Sequence, residues 1–118
     1  SNTWIYAEGA TIKRRSDYNW HLMQTDMGGK GYNVTRNVKI EGGIWDGQGA
    51  ETKNTNSVFR FAHASNMAFI NCTVQNSFNA HIIELGGVKG FTAQGCTVRK
   101  YSQNDSSLKK EAIQLDMQ

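Results

Sequence analysis

Apolar and polar residues alternate along this chain over short stretches, and the stretches recur at a fixed step. Val38 and Ile40, then Met67 and Phe69, then Phe91 and Ala93 keep period two. The steps between them are 29 residues (38 to 67) and 24 residues (67 to 91). A second set, Phe59/Phe61, Ile83/Leu85 and Ile113/Leu115, steps by 24 (59 to 83) and then 30 (83 to 113). Two sets sharing one step of this size define a repeating supersecondary unit. Inside each unit the parity breaks once. Trp45, Val74 and Val98 are apolar but lie an odd number of positions after Ile40, Phe69 and Ala93. The break falls at Gly42, Asn71 and Gly95, residue types that accept a left-handed backbone, so each unit is expected to turn a corner there.

Strand, corner, strand and a further strand per unit predict an all-β fold, a right-handed single-stranded parallel β-helix. Three short parallel sheets and about four coils are expected, with successive coils about 4.8 Å apart. A propeller or sandwich would show hairpin turn signals between neighbouring strands, and a leucine-rich repeat its leucine spacing. Trp4–Ala7 and Ala10–Ile12 read as strands of an opening coil, while residues 16–36 are less regular, with one more strand and a loop near Gly28–Gly31. Residues 1–118 are read as a single β-helix domain, the N-terminal part of a longer β-helix. The last coil would then present an open edge and an apolar cross-section, from which marginal stability or self-association is expected.

Composition fits this picture. Twelve Gly, no Pro and many Asn, Thr and Ser suit short strands joined by tight turns. Apolar residues are 38% of the chain and never form a run long enough to cross a bilayer, so no membrane span is expected. The net charge of +3 is scattered apart from Lys13-Arg14-Arg15 and Lys109-Lys110. A nucleic-acid groove would need a basic stripe with interleaved aromatics, so no nucleic-acid partner is expected. The mild positive charge suits an acidic polymer.

Two stretches carry a family resemblance. Ile5-Tyr6-Ala7-Glu8-Gly9-Ala10-Thr11-Ile12 resembles the opening coil of pectin-lyase-like and polygalacturonase-like (glycoside hydrolase family 28-like) proteins. Val38 to Gly49, ending Asp46-Gly47-Gln48-Gly49, is similar to a polygalacturonase coil that closes on an Asp-Gly turn. The resemblance implies a polysaccharide substrate, with hydrolysis ahead of β-elimination, and an extracellular or cell-surface location. The family's first catalytic carboxylates sit on an Asn-Thr-Asp-Gly-x-Asp stretch. In this chain Glu111 stands at the first Asp and Gln114 at the second, and Gln neither donates a proton nor attacks. That departure points to an alternative: a non-enzymatic surface adhesin or tailspike-like scaffold that binds a glycan or a host protein.

The register also places candidate side chains. With Phe59, Ile83 and Ile113 inward, Arg60, Glu84 and Gln114 form an outward column. It reads either as a surface ladder with an Arg60–Glu84 ion pair or as the floor of a sugar groove. Arg60, Gln114 and His81 are the candidate substrate-binding residues. Glu111, Asp116 and Glu84 are the candidate catalytic carboxyls, since hydrolysis of a glycosidic bond uses two. His81 and Glu111 stand at equivalent positions before that sheet, with Ser57 one coil earlier (81 − 57 = 24). Trp20, Trp45 and Tyr101 are possible sugar platforms, with core packing expected for Trp45. Cys72 and Cys96 stack in one column, as free core thiols or as a disulfide. Parallel Cβ directions favour the thiols. No metal-ligand spacing is present and no cofactor is expected.

Overall fold

The computed structural model describes residues 2–25 and 28–116. The chain is mostly β, and its strands pair in parallel. Ten strands occur among the described residues: β1 (Thr3–Tyr6), β2 (Thr11–Lys13), β3 (Met23–Gln24), β4 (Thr35–Glu41), β5 (Ile44–Asp46), β6 (Phe59–Ile70), β7 (Thr73–Phe78), β8 (Ile83–Gln94), β9 (Thr97–Ser102) and β10 (Ile113–Asp116). A short helix, α1 (Gly49–Thr52), follows β5. One sheet runs β1-β4-β6-β8-β10, with β3 also on β6, and the other runs β2-β5-β7-β9.

The register follows the sequence repeat. Val38 pairs with Met67 and Met67 with Phe91; Phe59 pairs with Ile83 and Ile83 with Ile113. Trp45, Val74 and Val98 form one column of the second sheet. The expected corner is present, with Gly42, Asn71 and Gly95 at φ 75°, 54° and 66°. The backbone ladder runs on through it, as Gly42 N donates to Ile70 O at 2.8 Å and Asn71 N to Gln94 O at 2.8 Å. A Cβ on Gly95 would fall 2.3 Å from Asn71 Oδ1, so the glycine also makes room for the carboxamide stacked on it.

Two sheets are found where three were expected. In two units the third strand runs straight into the first strand of the next, giving the 12-residue β6 and β8, while β3 and β4 remain separate. The joints are kinks, not breaks. His63 and Gly87 share one kink, and Asn37, Asn66 and Gly90 the other, all at positive φ. The pairing skips these residues and resumes beyond them. The second kink is held by an amide ladder in which Asn66 Nδ2 donates to Asn37 Oδ1 and Asn37 Nδ2 to Asn2 Oδ1, each at 2.7 Å.

Between the sheets lies the core of Ile40, Trp45, Phe59, Phe61, Met67, Phe69, Val74, Ile83 and Leu85, all buried. Phe91 and Val98 are only half-buried, and Leu115 is 74% exposed, since β9, β10 and the second half of β8 have a described neighbour on one side only. Both cysteines are free thiols. Burial and the neighbouring Cys96 push the Cys72 thiol up to about 11, which makes it a poor nucleophile at neutral pH.

The Asp46-Gly47 turn is built around a buried carboxylate. Asp46 accepts hydrogen bonds from Gln48 N (2.7 Å), Gln75 Nε2 (2.8 Å) and Asn76 Nδ2 (2.9 Å). Burial raises its proton affinity, but these bonds together outweigh burial and hold the carboxyl below its usual range. A depressed folded-state value stabilises the fold above the unfolded value of about 4, and that stability is lost as pH falls through the folded value. The melting temperature is therefore expected to drop below about pH 4, and Asp46→Asn should flatten that acid limb. Melts recorded from neutral to strongly acid pH check this. A variant with an unchanged acid limb would mean that another carboxyl titrates.

Candidate functional site

The parallel register lines up Gln24, Arg60, Glu84 and Gln114 on four adjacent strands, facing away from Met23, Phe59, Ile83 and Ile113. One step along the strands, Ala62, Gly86 and Asp116 form the next outward column. The small residues at 62 and 86 leave a depression there. A concavity of about 210 Å³ is lined by Arg60, Glu84, Leu85, Gly86, Gln114 and Asp116.

Its floor is charged. Arg60 Nε lies 3.3 Å from Glu84 Oε2, with both side chains about a third exposed or less. An ion pair this exposed contributes about 0–1 kcal/mol to stability, so its value to the fold is small. The guanidinium has five N–H donors and the pair engages one edge of it. Asp116 pairs in register with Gly86, two residues along from the Glu84–Gln114 pair. Strand spacing and rise then set the Glu84–Asp116 Cα diagonal at about 8 Å.

The other two sequence candidates sit elsewhere. His81 is 4% exposed, and its Nδ1 accepts the backbone N–H of Glu111 at 2.8 Å. The same Nδ1 lies 3.1 Å from Glu111 O, and this contact with the Glu111 backbone pins the segment leading into β10. His81 therefore bears on Gln114 and Asp116 through the backbone and is absent from the concavity lining. Glu111 is exposed and likewise outside that lining. Of the aromatic candidates, Trp45 packs in the core, 5.5 Å from Phe59, while Trp20 is exposed beside Gln24. Among the described residues, no three of His, Cys, Asp and Glu converge as metal ligands. No helix there is long and apolar enough to cross a membrane.

Two features of the site were not read from the sequence. Arg14, in an apparent basic run, is 2% exposed, and its Nη1 donates to Trp20 O (3.0 Å), Asn56 O (3.1 Å) and Ser57 O (3.2 Å). Thr25 Oγ1 bonds both backbone groups of Ala62 and so clamps the end of β3 onto β6. A Cβ on Gly47 would meet Arg14 Nη2 at 3.3 Å and Val58 Cγ2 at 2.6 Å; that crowding is the signal that a large side chain crosses over Gly47.

Comparison with protein-family models, with curated proteins and with solved structures gave no match.

Proposed function

We propose that this protein is a right-handed parallel β-helix of pectin-lyase-like type that processes a polysaccharide outside the cell or at its surface, by hydrolysis of a glycosidic bond. The observation that carries this reading is the placement of Glu84 and Asp116 in one outward concavity, on neighbouring strands, with Arg60 beside them. Both side chains face outward from Cα atoms about 8 Å apart, an arrangement that lets two carboxyls flank one bond with a water between them. In that chemistry one carboxyl protonates the leaving oxygen as the C–O bond breaks. The other takes a proton from the water that adds to the sugar carbon. Gln114, opposite Glu84 and two residues before Asp116, serves to orient substrate or water through its amide. The donors of Arg60 suit a uronate carboxylate, in keeping with an acidic, pectin-like polymer.

Gln114 also favours a second reading, since a neutral amide beside Glu84 in the outward column suits binding without turnover. One experiment separates the two. Reducing-end release is measured on a panel of acidic and neutral polysaccharides for the wild type, Glu84→Gln and Asp116→Asn. Turnover of an acidic polymer that falls about a hundredfold or more in each variant is expected. Retention of the polymer on an affinity column without turnover would replace the hydrolase with a glycan-binding scaffold. Turnover that survives both substitutions would move the chemistry out of this concavity.

A further inference from the structure

Trp20 stands at the far end of the groove column and is held there unusually firmly for an exposed aromatic. Its indole Nε1 donates to Gln24 Oε1, and Gln24 pairs in register with Arg60. Its ring meets His21 edge-on, with centroids 5.0 Å apart, and His21 is itself buried with Nδ1 3.0 Å from Ser57 O. Burial lowers the proton affinity of His21, which keeps the imidazole neutral and its Nδ1–H on that carbonyl. The backbone oxygen of Trp20 accepts from the buried Arg14 at 3.0 Å. Ring edge, ring neighbour and backbone are thus all fixed, yet the residue is 45% exposed.

A large apolar side chain held in place but left out of the core contributes little to stability through burial. What this arrangement does provide is a rigid apolar face that loses almost no freedom when a ligand covers it. The spacing names the ligand. The column Gln24–Arg60–Glu84–Gln114 advances by one strand at a time, about 4.8 Å per step, close to the length of one pyranose unit in an extended chain. A polysaccharide crossing the strands would place one sugar on each. A unit over Arg60 puts its neighbour at Gln24, where the amide meets hydroxyls and the indole meets the apolar face of the ring.

We infer that Trp20 is a sugar-stacking platform, a subsite beyond Arg60 that binds one pyranose unit of a chain lying across the strands. This rests on the groove reading above. It adds a direction for the chain, a length requirement and a specificity residue that is remote from the carboxyls.

The test uses oligogalacturonides from dimer to hexamer, with neutral xylo-oligosaccharides as a second series. Binding is followed by calorimetry for the wild type, Trp20→Ala and Trp20→Phe. Trp20→Ala is expected to weaken hexamer binding about tenfold, the equivalent of one good aromatic contact, and to leave the dimer unchanged. Trp20→Phe keeps a ring face and should retain most of the hexamer affinity. Equal hexamer affinity in wild type and Trp20→Ala overturns the inference. So does an equal loss for dimer and hexamer in both variants, which would mark a general disturbance of the fold around His21. If the wild type binds neither series and turns over no polysaccharide, the groove reading itself fails and the subsite goes with it.

Discussion

Phe59→Ala is expected to destabilise the fold by about 4 kcal/mol. Phe59 is fully buried at the start of β6 and meets Trp45 at 5.5 Å, Phe61 at 5.3 Å and Phe69 at 5.7 Å between ring centroids. These rings come from both sheets, so the side chain joins the two layers. Truncation removes the burial of one ring and the edge contacts of three others, and the sheets cannot close the gap without bending paired strands. A domain of this size has only about 5–15 kcal/mol of stability, so the loss is a large part of it. Urea denaturation followed by circular dichroism measures it, with Phe59→Leu as the milder comparison. A shift equivalent to less than about 1 kcal/mol would mean that the aromatic cluster is not the centre of the core.

Arg14→Met should cost a similar amount, about 3–5 kcal/mol, the usual result of breaking a buried charged arrangement by removing one partner. The guanidinium serves the carbonyls of Trp20, Asn56 and Ser57, and it faces the field of Asp46. Methionine fills much of the volume but leaves Asn56 O without this donor, Ser57 O with His21 Nδ1 alone, Trp20 O with a long contact to Asn54 Nδ2, and one buried carboxylate without its cation. Nε and Nη2 of Arg14 find no hydrogen-bond partner, so the arginine is already costly to bury. That cost tempers the prediction without reversing its sign. A double-mutant cycle with Asp46→Asn separates the charge contribution from the three carbonyl contacts. If Arg14→Met melts like the wild type, the loops carrying Trp20 and Ser57 are held by something other than this clamp.

Much of the fold was legible because its determinants are local and repeat. The columns Val38–Met67–Phe91 and Phe59–Ile83–Ile113 come straight from period two and a shared step, and the corner at Gly42, Asn71 and Gly95 from one break in parity. The fusion of two expected sheets was not legible. Asn66 and Gly90 were visible as residues, but a kink that leaves both flanking segments in one sheet and a corner that passes the chain to the other sheet use the same residue types. Only the pairing on either side separates them. The groove column Arg60–Glu84–Gln114 followed from register alone. His81 did not, because its position in the column says nothing of the backbone N–H it meets. Arg14 was hidden for the opposite reason. Lys13 and Arg15 on either side of it are exposed, and a run of like charges reads as one solvated surface until the fold turns the middle residue inward.

The strand order has a mechanical consequence. β1 and β10 occupy opposite edges of the larger sheet, and every strand between them is hydrogen-bonded to neighbours that come before and after it in the chain. A force drawing those two edge strands apart along the stack would load one ladder at a time, peeling strands from the ends instead of shearing all of them together. Resistance to stretching would then be low and stepwise in that direction, and much higher along the strands themselves. The seams between β3, β6, β8 and β10, where the outward column crosses from strand to strand, would be among those that open under such a load.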